Sequence, residues 1–266
     1  MQIDPHADPH ANPRAALQTQ ALQLQAGNRP LCMNFTWQAH PGECWAILGA
    51  NGAGKSTLLR VLAGLAAPTA GGIQLGTRDL AKVPRRERAK LLGYLPQHGV
   101  RGLGANITVA AYIALGHHPH NGALNFKNAL EKGFLLENFD LENIANQPCH
   151  TLSGGEWQRV RLATLAAQAP QIYLLDEPTT FLDAPHAMRT LGWLRGLATE
   201  GNTVITVLHD VNLARQICTH VLGLLPGGEI VAGPIADTLN PALLSTLYAH
   251  PFTPVLTAAG WWRPTL

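Results

Sequence analysis

Residues 44–65 read CWAILGANGAGKSTLLRVLAGL, and the order of residue types in this stretch dictates a local structure. Cys44 to Leu48 is a short continuous apolar run, the pattern of a strand buried on both faces. From Lys55 the apolar residues return at helical spacing, so a strand feeds a helix through the loop between them. The loop and helix start comprise Gly49, Ala50, Asn51, Gly52, Ala53, Gly54, Lys55, Ser56 and Thr57. Gly49 to Ser56 match G-x-x-x-x-G-K-[ST], in which glycines let backbone N–H groups curl toward phosphate oxygens and the helix dipole adds attraction. Lys55 supplies a point charge for β- and γ-phosphates, and the Ser56 hydroxyl suits Mg2+.

A second apolar strand, IYLLDE, places Asp176 and Glu177 at its carboxyl end. Mg2+ prefers oxygen ligands and keeps much of its water, so Asp176 is suited to hold it and Glu177 to polarise an attacking water. Alone, such a pair could as well merely cap a strand end; downstream of a phosphate loop it reads as part of a site. Between the two lies LSGGEWQR, where Ser153, Gly154, Gly155 and Glu156 open a helical pattern. Their N–H groups and the Ser153 hydroxyl make a second helix terminus fit for an anion. One chain has no obvious need of two phosphate cradles. Two copies set head to tail would close the Ser153 cradle of one over the γ-phosphate held by Lys55 of the other.

Outward from these segments the chain reads as an α/β protein. TVITVLHD is another apolar strand, ending at His209, and a helical pattern near Pro185 to Ala198 separates it from IYLLDE. Functional residues therefore gather at the carboxyl ends of strands. Leu17 to Trp45 alternates in LQTQALQLQ and NFTWQ, which predicts an antiparallel flap. From about His98 to Ala169 the patterning is helical, an inserted subdomain. Of the 266 residues 46% are hydrophobic and 14% charged, with a net charge of +2, a globular composition that excludes a disordered or nucleic-acid-coating protein. No window approaches the roughly 18 to 20 apolar residues of a membrane span, and the start lacks a secretory pattern. Cys32, Cys44, Cys149 and Cys218 show no metal-ligand spacing and read as reduced packing residues. The opening segment with His6 and His10 reads as a polar tail, and the basic run Lys82 to Lys90 as a solvated helix face. The cluster His117 to His120 has a metal-like composition, but Pro119 spoils helical ligand spacing, so a loop near a membrane partner is expected.

The constellation resembles the ATPase subunits of ABC transporters from about Leu17 to Phe252. The resemblance implies an α/β P-loop NTPase fold of ABC type, a mostly parallel central sheet with an antiparallel flap and a helical subdomain at about 98–169. Residues 16–252 would form this domain, with a disordered tail at 1–15 and a C-terminal tail at 253–266. ATP and Mg2+ are the implied cofactors. Glu177, His209, Lys55 and Gln97 become the catalytic set, His209 in LHD as the switch histidine that contacts the γ-phosphate. Ser56, Gln97 and Asp176 would serve Mg2+, with Gln97 in YLPQ also relaying closure to a membrane subunit. Asp183 in PTTFLD matches the loop aspartate that aligns two sites across the dimer. The implied partners are a second copy of the chain, transmembrane permease subunits and a periplasmic or surface substrate-binding protein, with no nucleic acid. The implied location is the cytoplasmic side of the cell membrane, held there by the permease. LSGGEWQRVRLA, GHHPH and TLNPALLSTLYAHPF are similar to importers of cobalamin, haem and iron-siderophores, the cobalamin group most of all. Two rivals stay open, a non-transport ABC ATPase and a nucleotide-binding regulator without turnover. The first usually carries two cassettes or a long coiled coil, and this chain has one cassette and no sustained heptads.

One position departs from the family. An aromatic ring usually stacks on adenine from the first flap, and Ala26 stands there in LQLQAGNRP. Stacking of a base on an aromatic ring contributes ~1–3 kcal/mol. Ala26→Tyr should therefore tighten ATP binding by on the order of tenfold, measured against GTP by equilibrium titration; unchanged affinities would show that no base stacks at this position.

Overall fold

The computed structural model describes residues 17–99, 106–121, 129–254 and 262–264. The N-terminal segment with His6 and His10 lies outside them. β1 (Leu17–Ala26) and β2 (Arg29–Ala39) form an antiparallel hairpin, followed by β3 (Cys44–Leu48) and α1 (Lys55–Leu62). β4 (Ala70–Leu75) and β5 (Arg78–Asp79) return to the hairpin, giving a four-stranded antiparallel flap in the order β2-β1-β4-β5. α2 (Arg85–Leu91) then leads into β6 (Leu92–Leu95).

The next described residues are helical or irregular: α3 (Val109–Ala114), α4 (His118–Asn121), α5 (Ala129–Asn138) and α6 (Gly154–Gln168). Among the described residues an isolated bridge joins Thr108 to Pro148 within this insertion, and the Val109 and Ala110 N–H groups bond the Gln147 and Ala145 carbonyls beside it. The chain re-enters the sheet with β7 (Ile172–Asp176), α7 (Ala184–Thr199), β8 (Thr203–Val207), α8 (Val211–Ile217), β9 (His220–Leu224) and β10 (Ile230–Pro234). α9 (Ile235–Thr238), α10 (Pro241–Tyr248), β11 (Phe252–Pro254) and β12 (Trp262–Pro264) close it. The main sheet runs β10-β9-β3-β8-β7-β6, parallel except for the edge strand β10.

Because side chains alternate across a strand, each central strand feeds two cores. Cys44, Ala46 and Leu48 of β3 join Tyr173 and Leu175 of β7 in the core beneath the helical insertion. Trp45 and Ile47 turn the other way and meet Ile172, Leu174, Ile205 and Val207 against α1 and the flap. The flap shows why simple alternation is not enough. Leu17 and Thr19 are buried, then Leu22 and Leu24, so the phase slips by one residue. Ala21 is where it slips: it has a positive φ of 46° and the pairing with β2 shifts between Thr19 and Leu22, the mark of a bulge.

One expectation needs correction. The His117–His120 segment is helical, a 3-10 turn over Leu115–His117 running into α4. Its proline occupies the first turn of a helix, where no N–H is needed. His117 is fully buried opposite Glu131, and the His120 ring bonds the Gln168 carbonyl of α6 at 2.8 Å, so the segment packs inward. The tail expected at 253–266 holds a strand pair among its described residues, Phe252–Pro254 against Trp262–Pro264. Phe252 anchors it, with its N–H on the Ser245 hydroxyl and its ring 5.6 Å from Tyr248. The four cysteines are buried in the free thiol form.

Ile47 is fully buried in the strand that precedes the phosphate loop. Ile47→Ala should cost about 2–5 kcal/mol, while Arg85→Ala on the exposed face of α2 should change stability by no more than about 0.5 kcal/mol, both read from urea unfolding.

Candidate functional site at the carboxyl ends of the parallel strands

In this strand order β8 lies between β3 and β7, so the segments leaving β3, β8 and β7 emerge side by side. They carry the phosphate loop, His209 and the Asp176–Glu177 pair. Gly54 caps α1 with φ of 103°, a left-handed conformation that a side chain would strain. This turn folds the loop back over its own lysine. The Lys55 ammonium donates to the carbonyls of Gly49 at 2.8 Å and Ala50 at 3.0 Å, and the residue is buried. Burial pulls its pKa down, and the carboxylates of Glu177 and Asp176 pull it back up.

Asp176 is 2% exposed at the end of β7. Burial raises its pKa foremost; a hydrogen bond with Ser56 opposes the rise, Glu177 adds to it, and Lys55 and His209 oppose it. Its Oδ1 is buried without a hydrogen-bond partner among the described residues. A buried carboxylate oxygen left in that state costs free energy unless something positive meets it. With the Ser56 hydroxyl beside it, the donor set is all oxygen, which fits Mg2+.

Glu177 has a φ of 51°, unusual for a residue with a side chain and typical of strain kept at working positions. Its Oε1 meets His209 Nε2 at 2.6 Å, and its Oε2 accepts from the Thr180 hydroxyl at 3.3 Å. The structure thus brings together Lys55, Ser56, Asp176, Glu177 and His209.

Ser153 caps α6 in a reciprocal box. Its hydroxyl accepts from the Glu156 N–H at 3.3 Å, and its own N–H donates to the Glu156 carboxylate at 2.7 Å. Those bonds hold the Glu156 carboxyl below its usual range. Gly154 begins the helix, and a Cβ on Gly155 would sit 2.9 Å from the Phe181 carbonyl, so only glycine fits there. Among the described residues no hydrogen bond or ion pair joins Ser153 or Glu156 to Lys55, Asp176, Glu177 or His209. Asp183 lies outside the cluster too, accepting the His186 N–H at 3.0 Å as the cap of α7.

Gln97 follows β6, and what fixes its backbone was not legible as a motif. Arg161, buried in α6, donates to the carbonyls of Pro96 and Gln97 and to Gln158 Oε1 at 2.8 Å. Gln158 passes the link on, donating to the Pro178 carbonyl at 2.8 Å, one residue past Glu177. Their spacing of three on one helix was visible; that both point inward was not. Arg29 is likewise not legible from local pattern. It pairs with Ala26 across the hairpin, and its guanidinium donates to the Gly52 carbonyl of the phosphate loop.

Residues 32–180 match a protein-family model described as ABC transporter. The chain belongs to this ABC transporter family. Hemin import ATP-binding protein HmuV of Pseudomonas entomophila (strain L48) is 37% identical over 238 residues, covering 87% of this chain and 92% of its own. Achromobactin transport ATP-binding protein CbrD of Dickeya dadantii (strain 3937) is 33% identical over 237 residues, covering 88% and 87%. Among solved structures, an inward-facing metal-chelate type ABC transporter superposes with TM-score 0.77 at 24% identity over 95% of this chain and 98% of that one. An ATP-binding cassette solved as a post-hydrolysis dimer with ADP and Pi superposes with TM-score 0.71 at 26% identity, over 82% and 98%. The chain is thus an ABC ATP-binding domain, and its fold is the α/β P-loop NTPase fold. These relatives carry the haem and siderophore branches of the sequence resemblance; none of the four is named for cobalamin.

Removing the Arg161 guanidinium would leave the Pro96 and Gln97 carbonyls and Gln158 without their donor. Arg161→Met is expected to cost about 1.5–3 kcal/mol for each charged hydrogen bond lost without replacement, seen as a lower urea midpoint, and to reduce ATP turnover by loosening Gln97.

Proposed function

We propose that this chain is the ATP-hydrolysing subunit of an ABC importer for an iron chelate, with haem the cargo the relatives favour. The observation that carries the catalytic half is the 2.6 Å contact of Glu177 and His209 beside the phosphate loop. A nucleotide-binding regulator without turnover would have no use for a strained glutamate held against a histidine. The cargo half rests on the haem and siderophore names of relatives aligned over most of the chain.

Hydrolysis needs in-line attack of water on the γ-phosphorus, for which positioning and charge stabilisation supply most of the catalysis. Gly49, Ala50, Asn51, Gly52, Ala53, Gly54 and Thr57 frame the backbone that wraps the phosphates. Lys55 exchanges its two carbonyl partners for phosphate oxygens and keeps its charge because Asp176 and Glu177 face it. Ser56, Asp176 and Gln97 would hold Mg2+, which when bound offsets charge on the phosphate oxygens. Glu177 orients the water and accepts its proton, and His209 steadies Glu177 and the γ-phosphate.

The second cradle belongs to the partner copy. Ser153, Gly154, Gly155 and Glu156 are separate from the Lys55 cluster of their own chain, so they close on the nucleotide of a head-to-tail partner, with Asp183 at the seam. Phe181 supports this. It is 63% exposed, with a left-handed φ of 69°, on the loop that abuts Gly155, an apolar side chain presented where the second copy would meet it. Permease subunits and a substrate-binding protein complete the assembly, which places this chain on the cytoplasmic face of the membrane through the permease. Among the described residues no helix is long and apolar enough to cross a membrane.

Glu177→Gln tests the reading. Loss of the general base should slow hydrolysis by about 100-fold or more, leave ATP affinity within about twofold, and trap an ATP-loaded dimer by size-exclusion chromatography with light scattering. Turnover at the wild-type rate would remove Glu177 from its role. Co-expression with the permease and haem uptake into proteoliposomes, compared with cobalamin and ferric siderophores, tests the cargo.

A further inference from the structure

A second cluster of charged groups lies on the other side of the Asp183 loop. Asp140 ends α5 in the left-handed conformation, φ 53°. Its N–H bonds the Glu137 carbonyl at 3.1 Å, and the Leu141 N–H bonds the Leu136 carbonyl at 2.8 Å, a closing motif that ordinarily takes glycine or asparagine. An aspartate there makes sense through its side chain. Its Oδ2 accepts from Arg159 of α6 at 2.8 Å and lies 3.2 Å from His186 Nε2. The other ring nitrogen, Nδ1, is 2.5 Å from Asp183 Oδ1. One imidazole therefore stands between two carboxylates, one on the helical insertion and one on the loop that follows Glu177.

We propose that His186 is a positioning residue that latches the Asp183 loop to Asp140 and Arg159, so that the loop and the Ser153 end of α6 move as one body. The inference rests on the dimeric ATPase reading above. Two cradles on separate copies help only if each copy presents Ser153 and Asp183 in a constant relation. Gly155 fixes one side of that relation by contact with Phe181, and the latch fixes the other.

The chemistry of the ring makes the latch conditional. A neutral imidazole has one N–H, and donation to both carboxylates requires both nitrogens to be protonated. Both carboxyls are held below their usual range. For Asp140 the His186 hydrogen bond is foremost, with Arg159 assisting; for Asp183 the His186 backbone N–H leads, followed by the ring. The cleft beside the ring also carries Glu137, Arg189, Glu200 and Tyr173. Burial pushes the tyrosine hydroxyl up to about 12, so it adds no charge beside the ring. The latch is complete only when each ring nitrogen carries a hydrogen, one directed to each carboxylate.

Steady-state ATP hydrolysis by the purified full chain and amide hydrogen exchange of residues 179–187 test this together. His186→Ala should lower kcat by about fivefold or more, the range of a coupling between sites, with KM for ATP within about twofold. Asp140→Asn, which keeps a residue tolerant of the left-handed conformation, should give a similar loss, and the double variant no greater loss than either alone. Exchange of 179–187 should rise in both single variants, and His186→Gln, which can still donate to one carboxylate, should recover part of the rate. Unchanged exchange in Asp140→Asn, or losses that multiply in the double variant, would overturn the latch. Glu177→Gln run alongside separates the two ideas: its effect on turnover judges the ATPase reading, while exchange in Asp140→Asn judges the latch without requiring hydrolysis.

Discussion

The ammonium of Lys55 is buried against its own loop, with two carbonyls in contact and two carboxylates nearby. Taking a cation out of water is expensive, and it stays charged only where such partners surround it. That requirement orders much of the structure. The loop needs a left-handed glycine to fold over the lysine, β3 must be buried on both faces to hold the loop rigid, and β7 must end near β3 for Asp176 and Glu177 to compensate the charge. Asp176 shows the converse cost, a carboxylate pushed toward its neutral form by burial, with one oxygen unsatisfied. A cation beside Ser56 and Asp176 would relieve both.

Helix α6 connects this centre to the rest of the molecule. Its first turn is the Ser153 cradle. Its second presents Gln158, Arg159 and Arg161 in three directions, to Pro178, to Asp140 and to the Gln97 loop. A rotation of the helix would strain all three at once. A rigid helix with polar contacts to Pro178, Asp140 and the Gln97 segment at once is the kind of contiguous element through which a shift at one end is felt at the other.

Several features read easily from residue order because their chemistry is local. G-x-x-x-x-G-K-S imposes a loop conformation within a few residues, IYLLDE sets two acids at the end of an apolar strand, and Ser153 followed by Glu156 makes a capping box by spacing alone. The flap was legible from alternation, but not its bulge at Ala21, since a slipped phase is resolved only by pairing with β2. The HHPH segment is helical despite its loop-like pattern because a proline excludes a helix interior and not a helix start. The strand pair near the C-terminus has no clear alternation of its own, because its two halves are short and separated in the chain.

Residue order thus determined the family's phosphate-binding loop and set out expectations for the rest: a carboxylate pair suited to a metal and water, and a second cradle that asks for another copy. These follow from backbone conformation and side-chain type over spans of eight residues or fewer. Tertiary structure decided which distant groups share a site. Placing β8 between β3 and β7 sets His209 against Glu177, 32 positions away in the numbering. The fold also set Arg161 under Gln97, Arg29 on the phosphate loop, and His186 between Asp140 and Asp183. Such meetings depend on strand order and helix packing, long-range products of burying two cores at once, and no local pattern encodes them.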